Sequence, residues 1–282
     1  MSPPLESEIL AALEQTGIQA RSCVRISKLR STDEGRCTYR IDHDCGTVKA
    51  RRLDDEATAR QLAAFRSALP EAFAPVILRH GRVLIEAWIE GDPLPDMPEP
   101  RHVVTAGALL AELHARSAPG QGMEHKAYPT ADHRFLVQEI LRRLVATGAL
   151  REEEAARLER ALGRSDPIQA RQGLVHLDFC GENMVIDRMG RLHVVDNDRI
   201  RLDALGYDLA RAWYRWALAA PAWDSFCRAY TSGSPFPNPL DSLDFWKIIA
   251  AARSAEFRLR NYPEEAELPV ICLRALAAEE RG

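Results

Sequence analysis

Between residues 176 and 198 the chain places His176, Asp178, Asn183, Asp196 and Asp198, with five positions from Asp178 to Asn183 and 13 from Asn183 to Asp196. An acid, an amide and a second acid at the ends of short strands and turns form a set of hard oxygen donors. Such donors suit Mg²⁺, which takes one or two carboxylates and completes its shell with water and substrate phosphates. A further acid then remains as a base. Phosphoryl transfer needs this combination: a carboxylate to orient and deprotonate an attacking hydroxyl, oxygen ligands for metal, and a cation for the nucleotide phosphates. A cation is at hand. Only four of the 37 basic residues are lysines (Lys28, Lys49, Lys126 and Lys247), and Lys49 stands in the middle of the segment GTVKARRL.

The elements that must hold these residues follow from periodicity. Leu5, Ile9, Leu10 and Leu13 share one face of a helix over residues 5 to 15. From Cys23 to Leu53 the segments CVRISKLRS, CTYRID and GTVKARRL alternate between the turns TDEGR and DHDCG, which is the pattern of an antiparallel meander. A helix over residues 54 to 69 begins at two capping aspartates, and RVLIEAWIEG returns to a strand at 82 to 91. Beyond residue 100 the pattern is helical at 103–115, 135–147 and 151–163. LVHLDFCGENMVID and RLHVVDNDRIR interrupt it as two small strands around a Met189-Gly190 turn, and helices resume near Leu205. The reading is an α+β chain of two lobes, a β-rich lobe over 1–90 and a mainly helical lobe over 91–282 that carries the hairpin.

Composition narrows the partners. With 282 residues, 46% hydrophobic and a formal charge of −4, the chain can bury a large core and has no charge excess to suggest a nucleic-acid or membrane partner. The opening MSPPLESEILAALEQTG lacks a basic n-region, and no apolar run approaches the roughly 18 residues of a membrane span, so a cytoplasmic chain is expected. Six scattered cysteines without a C-x-x-C pair read as reduced thiols.

HLDFCGENMV followed by HVVDNDRIRLDALGYDLA resembles the catalytic loop and metal-binding strand of the aminoglycoside phosphotransferase and choline kinase group. LLAELHA, ending at His114, and Tyr207-Asp208, 12 positions after Asp196, extend the likeness over about 160 residues. The resemblance implies a bilobal protein-kinase-like fold, with Asp178 as catalytic base, and Asn183 and Asp196 as Mg²⁺ ligands. Asp198 either adds a metal contact or faces solvent. Asp208 would brace the catalytic loop by accepting backbone N–H groups, and His176 would orient that loop rather than carry protons. Lys49 matches the lysine on the ATP phosphates; its usual partner is a helix glutamate, here Glu56, although the group more often places Glu where Gln61 stands. The loop around Ser31 to Gly35 would cover the phosphates. The adenine would meet backbone at Glu86, Ala87 and Trp88, where Trp88 is equally a core residue. Asn-Asp-Arg after Asp196, and the short run to the next helix, speak against a protein kinase.

The acceptor is therefore expected to be a small molecule bearing a hydroxyl, of the aminoglycoside, amino alcohol or sugar class. Residues 1–90 hold 13 basic and 13 acidic side chains, so the whole −4 lies in the helical lobe, a lean towards a cationic acceptor. Two alternatives stand beside this: a kinase of a glycan or lipid-linked sugar, served by the arginines near 191 to 215, and a kinase-like nucleotide-binding protein without transfer activity.

Overall fold

A computed structural model describes residues 7–26, 37–116 and 127–280. The chain runs α1 (Ser7–Thr16), β1 (Ala20–Arg25), β2 (Cys37–His43), β3 (Gly46–Arg52), α2 (Glu56–Arg66), β4 (Val76–His80), β5 (Val83–Ala87), β6 (Gly91–Pro93), α3 (Pro100–Ala115), β7 (Ala127–Pro129) and α4 (Ala131–Ala146). It continues through α5 (Glu152–Ser165), β8 (Gln169–Val175), a 3₁₀ turn (Gly181–Asn183), β9 (Met184–Asp187), β10 (Leu192–Val194), β11 (Arg201–Ala204), α6 (Leu205–Trp216), α7 (Ala220–Gly233), α8 (Leu243–Asn261) and α9 (Glu267–Glu279). Contacts divide it into two compact units. The first holds the described residues up to Leu94 together with Asn183–Arg201; the second holds those from Pro95 to Glu182 and from Leu202 onward.

The first unit is built on a five-stranded antiparallel sheet in the order β1-β2-β3-β5-β4. Side chains alternate across a strand, so Val48 and Ala50 of β3 and Val83 and Ile85 of β5 share one face. On that face they join Cys37, Tyr39 and Ile41 in a core closed by Ile9, Ala12 and Leu13 of α1. Each large aliphatic buried there contributes about 1.5–3 kcal/mol. The same alternation sends Lys49, Arg51 and Glu86 to the opposite face. α2 starts where Asp55, in extended conformation, accepts the Thr58 N–H at 2.7 Å.

The hairpin read from the sequence is present, with Val194 opposite Met184 and Gly190 in the left-handed region at the turn. It belongs to the first unit rather than to the helical part. β6 pairs with β9, Phe73 bridges Val194, and Val194 N–H donates to Ala72 O at 2.8 Å. Gly91 makes the β6 contact possible, since a Cβ there would lie 2.2 Å from Ile186 O. A boundary at residue 90 therefore falls short of Leu94, and Asn183, Asp196 and Asp198 sit with the sheet instead of the helical lobe. β4, short and partly buried, and β6, short and exposed, are strands that the sequence pattern did not mark.

In the second unit α8 is buried along most of its length, flanked by α6, α4, α5 and α9, while α3 packs on α7. Gly107 allows that last approach, because a Cβ there would stand 2.4 Å from Phe226 O. A small sheet, β11-β8-β7, carries the segment leading to Asp178. Among the described residues no helix is long and apolar enough to cross a membrane, and the cysteines are all free thiols.

Candidate active site

On the open face of the first unit's sheet, β3 and β5 place Lys49 directly across from Glu86, and their charged groups are 3.7 Å apart. Glu86 is buried, as is Arg66 of α2, whose guanidinium forks between the Glu86 carboxylate and Ala74 O. Lys49 Nζ also donates to Asp196 Oδ1 at 3.2 Å, joining residues far apart in sequence. Arg51, two positions along the same strand face, bonds Asp196 through Nη2 and Asp198 through Nη1. Three cations and three carboxylates thus interlock. Packing around Asp196 would push its carboxyl up, but the adjoining Arg51 and Lys49 outweigh that and hold it well below the usual carboxylate range. Arg51, for which burial alone would favour the neutral form, is held charged by Asp198, Asp196 and Glu86.

Asn183, Asp196 and Asp198, expected to hold metal, are carried by the hairpin and the residues flanking it. Asn183 ends the 3₁₀ turn, and its carbonyl accepts the N–H of Val195 at 2.9 Å, which ties it to the residue before Asp196. Asp196 has a positive φ of 59°, a strained backbone for a residue with a side chain. Asn197 turns inward, and its amide donates to Val194 O at 3.1 Å.

Glu56 is not brought to Lys49. It is the first residue of α2, exposed, with its carboxylate near Arg60 and Arg79. The helix dipole and those two arginines account for it. Besides Asp196, the acid at Lys49 is Glu86, a residue expected from the sequence to meet adenine through its backbone. That backbone lies inside the ladder, paired with Lys49 on one side and Val76 on the other, and the Ala87 N–H is given to Pro75 O at 3.0 Å. Trp88 follows the ladder, with the Arg40 guanidinium 5.0 Å from its ring centroid. Ser31 and Gly35 lie outside the described residues.

In the second unit the segment after β8 is fixed from several sides. Asp208, wholly buried near the start of α6, accepts the N–H groups of His176 and Leu177, each at 2.6 Å. His114 Nε2 lies 3.2 Å from Asp208, and its Nδ1 is 2.8 Å from the Tyr230 hydroxyl. A carboxylate neighbour calls for a proton on Nε2. Burial would raise the Asp208 carboxyl, yet His114 and the His176 N–H together hold it below its ordinary value. Burial, with Asp208 nearby, pushes the Tyr230 phenol up. Leu177, between β8 and Asp178, has φ of 63°; Arg211 Nε donates to its carbonyl.

Asp178 follows that strained residue. Its N–H donates to His176 Nδ1 at 3.2 Å, so His176 shapes the loop through a lone pair. Its carboxylate faces Arg215 Nε at 3.2 Å and Arg211 Nη2 at 3.6 Å, and Arg215 also reaches Glu182 at 3.2 Å. Arg211 and Arg215 are one turn apart on α6. That i, i+4 spacing was visible in the sequence, but nothing there aimed it at Asp178. Trp246 is buried against Phe245 and Tyr207, while the partly buried Trp223 and Trp216 pack on the buried Phe226, one stacked and one edge-on. Glu256 is engaged by Arg143 at 2.5 Å. A cavity of about 500 Å³ lies between the end of α5 and the Phe236–Asp241 segment, and Asp178 is not among its walls.

A β-sheet unit with a lysine and carboxylate cluster, and a helical unit with a braced acidic loop, define a bilobal kinase-like fold. The same fold appears in a macrolide 2'-phosphotransferase from Brachybacterium faecium, with a TM-score of 0.65 at 14% identity over 94% of this chain and 96% of that one. It appears in a choline kinase from Streptococcus pneumoniae (0.64, 12%, 95% and 96%) and in a putative fructosamine-3-kinase from Thermobifida fusca (0.64, 16%, 98% and 100%). No curated protein matches the sequence. The model of the phosphotransferase enzyme family matches residues 25–240, and the chain belongs to that family. It is a phosphotransferase of that family.

Proposed function

We propose that this chain transfers a phosphoryl group from Mg·ATP to a hydroxyl of a small molecule of the aminoglycoside, amino alcohol or sugar class, with Asp178 as catalytic base, in the cytoplasm. The observation that carries the reading is the meeting of Lys49 and Asp196 at 3.2 Å, a phosphate-binding cation beside a metal-binding carboxylate. The donor set fits magnesium: Asp196 and Asp198 converge closely enough for one guanidinium to bond both, and Asn183 is tied to the same strand. These residues would hold the ion, which supplies charge neutralisation on the phosphates when bound.

The chain's own groups do the rest. Lys49 binds phosphate oxygens, with Glu86 beside it in place of a helix glutamate. Asp178 accepts the hydroxyl proton, with its loop held by Asp208 and Arg211 and its carboxylate oriented by Arg215. Binding energy goes chiefly into positioning. The adenine is expected against the backbone from Trp88 onward.

Replacing Asp178 by Asn tests the assignment. Phosphorylated product in an ATP-consumption screen across amino sugars, choline-like alcohols and sugars should fall by at least a factor of about 10², the low end for general-base catalysis. Mg·ATP affinity should stay nearly unchanged. A wild type that binds nucleotide yet phosphorylates nothing in that screen favours a nucleotide-binding protein without transfer activity.

A further inference from the structure

The two carboxylates assigned to the metal are spanned in this structure by a cation of the protein itself. Arg51 directs Nη2 to Asp196 and Nη1 to Asp198, so that one guanidinium bridges both carboxylates. Lys49 takes the same Oδ1 of Asp196. Together with Arg66 on Glu86, the cluster balances three cations against three carboxylates, with each acid engaged. A bare dication arriving there meets two positive groups on the oxygens it needs and brings no anion to receive them.

Burial decides how the exchange can occur. The Arg51 side chain is only 10% exposed, whereas that of Asp196 is 44% exposed, so the acid faces outward and the guanidinium lies behind it. A guanidinium so placed cannot give up its carboxylates to solvent without becoming an unpaired buried charge. It must be offered another anion. Its Nε is buried with no hydrogen-bond partner, so a donor is already in reserve.

We propose that Arg51 is an internal counter-ion that holds the Asp196 and Asp198 oxygens against free Mg²⁺ and yields them only when the metal arrives with a polyphosphate, whose oxygens then take the guanidinium. This rests on the Mg·ATP reading of the site. It makes metal binding conditional on nucleotide, and makes Arg51 a second phosphate-binding cation beside Lys49.

The test measures Mn²⁺ as a spectroscopic stand-in for Mg²⁺, by electron paramagnetic resonance, with and without the non-hydrolysable analogue AMP-PNP. Wild-type protein should bind Mn²⁺ alone at least tenfold more weakly than with the analogue present. Arg51→Met should bind Mn²⁺ alone at least tenfold more tightly than wild type, and Arg51→Met/Asp198→Asn should lose that gain. Should Arg51→Met fail to fold, Arg51→Lys, which keeps one charge without the two-pronged reach, should show a smaller gain. Equal Mn²⁺ affinity of the wild type with and without analogue overturns the proposal, as does a folded Arg51→Met that gains nothing while Mn·AMP-PNP binding persists. Absence of Mn·AMP-PNP binding in the wild type overturns the underlying nucleotide-site reading together with it, a result distinct from the other two.

Discussion

The Asp208 brace is the feature whose removal can be worked through in numbers. Its carboxylate accepts two backbone N–H groups at 2.6 Å and faces His114 Nε2 at 3.2 Å, with no exposure to solvent. Asp208→Asn keeps the volume but offers one acceptor oxygen and turns an NH₂ towards donors. One hydrogen bond to a charged acceptor is lost, at about 1.5–3 kcal/mol, and one buried donor is stranded, at about 1–3 kcal/mol, so the cost is roughly 2.5–6 kcal/mol. The His176 and Leu177 amides then report it directly. Their hydrogen-exchange protection should fall by a factor of about 10² or more, at about 1.4 kcal/mol per tenfold.

Acidity gives the same prediction a second arm. The folded Asp208 carboxyl lies below its unfolded value of about 3.9, so its contribution is fully present above that value and is lost as pH falls through the folded pKa. Urea unfolding of wild type and Asp208→Asn should therefore differ by a constant amount near neutrality, and the gap should shrink below about pH 4. A change under about 1 kcal/mol at pH 7 with protected amides, or a gap that widens on acidification, would refute the brace.

Other perturbations probe separate parts. Arg66→Met strands the buried Glu86 with Lys49 alone and should cost about 3–5 kcal/mol in urea unfolding, most of it regained in Arg66→Met/Glu86→Leu; an additive double variant removes the coupling. Gly206→Ala would set a Cβ 2.2 Å from Cδ1 of the buried Trp246, so the melting temperature should fall by the equivalent of about 1–3 kcal/mol. Ala217, exposed with φ of 49° at the end of α6, should gain about 0.5–1 kcal/mol as Gly, and a calorimetric loss would contradict the strain argument.

What the sequence made legible was what depends on local order. The hairpin with its Met189-Gly190 turn, the capped α2 and the amphipathic helices follow from periodicity and turn chemistry. Asn183 and Asp196 are drawn together by that hairpin, through the Val195 N–H on the Asn183 carbonyl, while Asp178 belongs to the other unit. Unit membership was not legible: the hairpin joins the first sheet through β6 and Phe73, pairings made by backbone atoms that leave little mark on side-chain pattern. Arg51, Arg66, Arg211 and Arg215 were hidden by numbers, since a chain so rich in arginine gives no one of them prominence. Lys49 stood out for the opposite reason.

The partner of Lys49 shows why resemblance alone misplaced an acid. A helix glutamate reaches a strand lysine only where the helix presents the right face, and at Glu56 the helix has barely begun, so the carboxylate meets Arg60 and Arg79 instead. On β5, Glu86 needs no helix. Cross-strand register fixes it opposite Lys49, and the ladder that sets their separation runs from Val48 to Arg52 of β3. α2 supplies the cation in place of the acid, through Arg66. The charge pattern is thereby inverted between helix and strand: a displaced α2 would part Arg66 from Glu86 and leave Lys49 and Glu86 in register, because a backbone ladder, not side-chain reach, holds that pair.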